Sequence, residues 1–482
     1  MTWKPQVRAA LLTLAAVMLG ACTRDATAPL KVTAAPRFSL QGGAAPARYL
    51  VLFKKQAVPS DLSGRVQTLG GAVRYSHPVG IAIVDGLDAA GAAQLAAGAD
   101  VAQVQPDVAV TLDPPQRSAA VPLGAPIAQS QGSPASAILF SWQWNMRDIK
   151  ADRAWAAGKL GSPSVTVAIL DTGIDYDSFD LNGLVDLSRS TSFVAGDDSI
   201  TAHFFPGRNP ITDYNGHGTN VASQVSSKAV ALAGVTSKTT LIGVKVLGAN
   251  GSGSSGGVLQ GILWAADHGA DVANLSLGST FARAGNGQLI GLINRVFSYA
   301  VRHGMLVVVA AGNAGTNLDT DPNFDAYCSV WQAVCVSAVG PTTPTGNPDA
   351  FAFYSNFGRR AVDVAGPGGN SDGTVSTWPW GTDDVSWVWS LCSKTLLAGF
   401  TSTGTPVLAG CQPGNFLLGF IGTSQATPHA TGVAALIAAR VGHGKPLLVR
   451  LLLQATADRQ TPFLFDPKFG TGRVDAARVA GL

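Results

Sequence analysis

From Trp142 onward the sequence alternates short apolar runs with stretches of helical pattern, and few folds accept that alternation. SVTVAIL, TLIGVKVL, DVANLSL, MLVVVAA and AVCVSAV have strand length, and residues 217–230, 257–268 and 288–303 read as helices between and after them. Strands that are apolar at nearly every position must be covered on both faces. The expectation is an α/β fold, a doubly wound and mostly parallel sheet with helices on either side. Ligands of such sheets bind beyond the carboxyl ends of the strands. Asp171 follows one of these runs and Asn313 another, so both belong to that edge.

At 482 residues the chain exceeds one average domain. Hydrophobic residues make up 46% and charged residues only 13%, which excludes a largely disordered chain. The net charge is +3, with no run of Lys or Arg, so no nucleic-acid partner is expected. A monomer is expected.

Residues 1–21 read as a signal peptide: Lys4 and Arg8 form a basic start, and the apolar run Ala9 to Ala21 is too short for a stable membrane span. Leu19-Gly20-Ala21-Cys22 resembles the lipobox of a bacterial lipoprotein, which implies cleavage before Cys22 and lipid on its sulfur. Localisation is then the cell envelope, lipid-anchored, or the extracellular space. Four cysteines remain, and sequence alone allows three pairings. The simplest is two short loops, Cys328–Cys335 and Cys392–Cys411, in an oxidising compartment.

Residues 22–47, rich in Ala, Pro and Thr, form a tether. Residues 48–113 form a small α+β module. RYLVLFKK, GIAIVDGL and VAVTL are strand candidates, Pro59 to Leu69 and the alanine-rich run are helix candidates, and a ferredoxin-like β-α-β-β-α-β order fits them. Residues 114–141 are a linker, and 142–482 the main body. An insertion at about 368–415 holds Gly, Ser, Thr and four tryptophans, and reads as a surface loop packed against the body.

Three residues carry the chemistry. Ser424, in Gly422-Thr423-Ser424, stands at the start of an apolar helix running to about Arg440, with Pro428 in or near its first turn. Alone it reads as an N-cap serine. Beside a base, its hydroxyl becomes a nucleophile. His217, in Asn215-Gly216-His217-Gly218-Thr219, can take and return a proton near neutrality. Asp171 can fix the tautomer of such an imidazole, although an aspartate opening a turn is common. Asn313, at the end of VVVAAGN, can donate its amide to an oxyanion.

Together, DTGID, NGHGT, AAGN and GTSxAxPH, in this order, resemble the subtilase family of serine peptidases, over about residues 142 to 482 and closing in FGTGRVDAARVA. The resemblance implies Asp171, His217 and Ser424 as a triad, with Asn313 and the backbone N–H of Ser424 as oxyanion donors. Gly251, Ser252 and Gly253 look like one substrate-pairing edge, and Leu275, Ser276, Leu277 and Gly278 like the opposite strand. Ala310, Ala311 and Gly312 look like the wall of the specificity pocket. Residues 48–113 resemble the inhibitory propeptide of many subtilases, which implies a self-processed precursor cut in or just before the linker. Gln425 departs from the methionine frequent in the family. Catalysis is expected to need no cofactor; structural calcium is frequent in the family but is assigned to no residues here. Protein or peptide substrates are implied. A silent binding lipoprotein on the same scaffold, or an esterase, are the alternatives.

Overall fold

The computed structural model describes residues 48–112, 117–122, 133–343, 346–371, 386–408 and 416–481, with 117–122 and 416 described by backbone alone. The signal segment, Cys22, the tether, Trp378, Trp380 and Cys411 lie outside the described residues.

Residues 48–106 follow the expected β-α-β-β-α-β order. β1 (Arg48–Phe53), β2 (Ala72–His77), β3 (Ile81–Asp85) and β4 (Val101–Pro106) form an antiparallel sheet in the order β2-β3-β1-β4. Strand alternation sends Val51 and Phe53 toward Leu62, Val66, Ala92 and Leu95 of the module's own helices. Leu50, Leu52, Ile81 and Ile83 face the other way and join the main body's cluster with Val258, Leu259, Ile262 and Ile293. VAVTL does not close this sheet. VAQVQP does, its glutamines masking an otherwise alternating strand. β5 (Ala109–Thr111) and β6 (Arg117–Pro122) instead leave the module and pair with the main body.

In the main body, β7 (Thr166–Asp171), β8 (Thr191–Ser192), β9 (Thr240–Lys245), β11 (Val272–Leu275), β13 (Leu306–Ala310), β15 (Ala333–Val339) and β16 (Val364–Pro367) form one sheet. Its order is β16-β15-β13-β11-β7-β9-β8, and every neighbouring pair is parallel. Val167 and Ile169 point to one face, where Val433, Ala434 and Ile437 of the helix Thr423–Val441 pack. Ala168 and Leu170 point to the other, against the helices Ser255–Asp267 and Gly287–Arg302. Seven further strands among the described residues are short or peripheral. β10 (Ser252–Ser254) receives β5, β12 (Thr280–Ala282) pairs with β14 (Asn323–Asp325), and β18 (Leu397–Phe400) with β19 (Pro406–Leu408). β17 (Val388–Leu391) pairs with β20 (Phe416–Ile421), whose other edge carries β6.

Two expectations need correction. The helix expected over 217–230 stops at Val225, because Ser226 turns extended and bridges Thr236, while the amides of Val230, Ala231 and Leu232 are drawn to the buried Asp180 carboxylate. Alanine content favours helix only where nothing stronger claims the backbone. The insertion at 368–415 is not all surface: Trp387 and Trp389 are buried, and Trp144 Nε1 donates to the Trp387 carbonyl at 2.7 Å. Cys328 and Cys335 are bonded, with Cα atoms 4.9 Å apart. Cys392 is also disulfide-bonded. Among the described residues no helix is long and apolar enough to cross a membrane.

One buried imidazole ties the ends of the main body together. His429 Nδ1 donates to the Gln425 carbonyl at 2.7 Å, and Nε2 accepts from the Asn145 amide at 2.7 Å. Burial pushes this histidine down to about 4 from its usual 6.5. The unfolded chain takes up the proton first, so stability is full above pH 6.5 and falls as pH drops from there toward 4. Chemical denaturation of a Ser424→Ala chain across that range should show about 3 kcal/mol lost through this group. His429→Gln should flatten that part of the profile.

Candidate active site

Each chemical residue sits where a regular element begins or ends. Asp171 is the last residue of β7 and is fully buried. His217 opens the helix His217–Val225, after Gly216 with φ +93°, a conformation that favours glycine. Ser424 is the second residue of the helix Thr423–Val441, so it is not the N-cap; Gly422 is. Asn313 follows the end of β13.

His217 Nδ1 lies 2.8 and 3.0 Å from the two carboxylate oxygens of Asp171. The Thr172 amide also donates to Asp171, at 2.7 Å. His217 Nε2 is buried and has no hydrogen-bond partner among the described residues. The Ser424 hydroxyl donates to the Ser276 carbonyl at 3.1 Å rather than to that nitrogen. Asp171 and His217 are therefore coupled, while the serine hydroxyl is engaged by the Ser276 carbonyl. Such loose serine–base geometry is common before substrate binds.

Asn313 Oδ1 accepts from the amide and hydroxyl of Thr423, at 2.9 and 2.8 Å. This fixes the amide's orientation at the start of the serine helix. Its Nδ2 lies over Gly422, where a Cβ would come within 3.5 Å of it. Pro428 is in the second turn rather than the first, and it has no N–H to give the Ser424 carbonyl. Ser276 Oγ fills that need, donating to the Ser424 carbonyl at 2.8 Å.

Of the residues expected to pair with substrate, Gly251, Ser252, Gly253 and Gly278 meet around β5. Ser252 and Gly253 pair with Thr111 and Val110 of β5, and the Gly251 carbonyl accepts from the Leu112 amide at 2.8 Å. Gly278 bridges Thr111 from the other side. Leu275 ends β11, and Leu277 is buried beyond it. Ala310 ends β13, Ala311 is held by Val336 and Asn356, and the Gly312 amide donates to Thr423 Oγ1 at 3.1 Å. The chain's own residues 109–112 thus lie in the cleft as an extended strand between two edges.

Two residues that organise this site escaped the sequence reading. Asp213 accepts from Thr172 Oγ1 at 2.9 Å, from the amides of Asn215 and Gly216 at 3.0 and 2.9 Å, and from Thr219 through both amide and hydroxyl. It clamps the loop carrying His217 to the loop after Asp171. Its signal was its place just ahead of NGHGT. Lys245, fully buried, donates to the carbonyls of Thr172 and Thr212 and pairs with Asp197 at 2.9 Å. A lysine inside an apolar strand was the sign to read. The Gln425 side chain is buried beside Gly422. Among the described residues no group of three or more His, Cys, Asp or Glu side chains is placed to hold a metal ion.

The glycine after His217 sets how close these loops come. The Gly218 amide donates to Thr172 Oγ1 at 2.9 Å, and a Cβ there would overlap the Gly173 carbonyl and touch Asp171. Gly218→Ala should push the imidazole from its carboxylate and lower kcat by about 10²-fold, measured on a chromogenic peptide. Unchanged kcat would mean that the contact is not needed.

A model of the subtilase family matches residues 162–472. Alkaline elastase YaB of Bacillus sp. (strain YaB) is 31% identical over 374 residues, covering 77% of this chain and 78% of that protein. Thermitase of Thermoactinomyces vulgaris is 32% identical over 330 residues, covering 68% of this chain and 92% of that protein. Among solved structures, the epidermin leader peptide processing serine protease of Staphylococcus aureus aligns with a TM-score of 0.70 at 21% identity. That alignment covers 91% of this chain and 98% of the other. Fervidolysin of Fervidobacterium pennivorans aligns with a TM-score of 0.63 at 20% identity, over 92% of this chain and 62% of the other.

Proposed function

The chain belongs to the subtilase family and is a subtilisin-like serine endopeptidase acting on proteins; on that premise we propose that Asp171, His217 and Ser424 are its working triad, in a precursor that cuts itself. Ser424 Oγ turns from the Ser276 carbonyl, gives its proton to His217 Nε2 and attacks the carbonyl carbon of the scissile bond. Asp171 keeps the ring's proton on Nδ1 and offsets the charge of the imidazolium that forms. The oxyanion is met by Asn313 Nδ2 and the Ser424 N–H. His217 returns the proton to the leaving amine, and water releases the acyl group by the same route.

The observation that carries this reading is β5. A strand of the chain itself, held between Ser252 and Gly278, is how an extended polypeptide substrate would lie there. Residues 48–113 act on this reading as an intramolecular inhibitor. Its grip is apolar through Leu50 and Ile81 and polar through Asp107, which accepts from the Gly256 amide at 2.7 Å at the start of a helix. Strand pairing on one side of Ser424 ends at Leu112 and on the other begins at Arg117, so self-cleavage falls between them. The basic start, the apolar run and Cys22 support export and lipid anchoring.

In a host lacking other proteases, the parent chain should show a new N-terminus within residues 113–117, and Ser424→Ala should stay at full length. Cleavage of the Ser424→Ala chain at the same place would count against self-processing. Asn313→Ala should keep casein-clearing activity measurable but lower kcat by about 10²–10³-fold.

A further inference from the structure

We propose that the outer face of the helix Pro446–Ala455, with Trp331 beside it, is a docking surface for a bilayer that contains anionic lipid. The patch lies at the sheet edge opposite the cleft. Trp331 and Gly304 stand just ahead of β15 and β13, and the helix Thr423–Val441, which carries Ser424 at its start, ends shortly before Pro446. The inference is independent of the peptidase reading.

The helix Pro446–Ala455 is apolar on two faces, and only one of them serves the fold. Pro446, Val449 and Leu453 are buried, the last two in the main core with Leu436 and Ile437. Leu447 and Leu451, one turn apart, are 57% and 60% exposed, and Leu448 between them is 39% exposed. Trp331 is 70% exposed. Its place is fixed: the Cys328–Cys335 disulfide closes its loop, Arg450 Nη1 donates to its carbonyl, and Gln332 Nε2 donates to Ser298 Oγ at 2.6 Å. Rigid elements thus hold an indole and three leucines out in water, where they contribute nothing to the core.

The charge around the patch decides what it meets. Residues 286–304, 326–347 and 439–457 come together here, through Gln332 and Ser298, Arg450 and Trp331, and the close approach of Gly304 to Gly444. None of the three segments contains Asp or Glu, and Arg302 and Lys445 are exposed on them. The acids that reach in from elsewhere are already matched: Asp363 with Arg450 at 2.6 Å and Asp271 with His443 at 2.8 Å. A second copy docked face to face about a two-fold axis would bring these cations onto one another. Anionic headgroups attract them, while leucine and tryptophan suit the boundary between headgroups and acyl chains. The lipobox-like Leu19-Gly20-Ala21-Cys22 points the chain to the same surface. On the proposed maturation, lipid on Cys22 departs with the N-terminal segment, and this patch keeps the enzyme body at the membrane.

The exported chain carrying Cys22→Ser, which has no thiol to acylate there, should be sedimented with two kinds of vesicle. One is phosphatidylcholine alone, and the other is phosphatidylcholine with phosphatidylglycerol in equal parts. The proposal expects binding to the mixed vesicles at least about tenfold stronger than to phosphatidylcholine, weakening as salt is raised. Leu447→Gln together with Leu451→Gln should lower that binding at least about tenfold. Thermal unfolding and hydrolysis of a soluble chromogenic peptide should match the parent, since both side chains are exposed and far from the cleft. No binding to the mixed vesicles, or binding that the paired substitution leaves unchanged, would overturn the proposal. So would a dimer that the paired substitution dissolves in place of vesicle binding, which would assign the patch to a second copy. Vesicle binding that depends on the patch in a chain that hydrolyses no peptide would support this inference and count against the peptidase reading alone.

Discussion

Everything in the cleft depends on keeping a buried carboxylate and an imidazole in contact, and Asp213 is the group that makes the contact unavoidable. Its carboxylate collects donors from Thr172 on one loop and from Asn215, Gly216 and Thr219 on the other. A buried charge short of such partners would cost several kcal/mol. Satisfying it draws the two loops together, and the missing side chain of Gly218 lets them close. Lys245 holds the same junction from beneath, through the carbonyls of Thr172 and Thr212, and shares its charge with Asp197. The Asp171–His217 pair is thus a consequence of packing around a second carboxylate.

The parallel sheet does the longer-range work. β7 and β13 deliver Asp171 and Asn313 to one edge because parallel strands share a carboxyl end. The helix Thr423–Val441 crosses the sheet's core and presents Ser424 at its start, held by Thr423 to Asn313 and by Ser276 to the strand end beside it. Pro428 leaves the Ser424 carbonyl without its helical donor, and Ser276 turns that gap into a fastening. The N-terminal module then lays an apolar sheet face on the helices behind the cleft and sends its last strand into it.

Much of this was legible in the sequence, and for physical reasons. Runs such as AVCVSAV are apolar on both faces, and only a covered strand tolerates that; β15 matches it residue for residue. DTGID, NGHGT and GTSQATPH could be read because each ties a reactive side chain to glycines that a tight approach demands. What could not be read was set by distant partners. The amides of Val230 to Leu232 answer to Asp180, so an alanine-rich stretch is not helix. VAVTL has the pattern of a strand, but nothing in it says that its partner is Ser252 rather than the module's own sheet. Trp387 and Trp389 lie in a stretch whose Gly and Ser content suggests a surface loop, yet they fill the core beside Trp142 and Trp144. Asp213 and Lys245 carry no motif of their own, since their roles are to satisfy backbone groups.

The central claim is that a serine at the start of this buried helix is made nucleophilic by the imidazole opposite. Fluorophosphonate labelling followed by peptide mass spectrometry tests it most directly. The account predicts one adduct, on Ser424, formed by the matured enzyme and lost in His217→Ala. An adduct on another serine, or no adduct from a preparation that still clears casein, would contradict it.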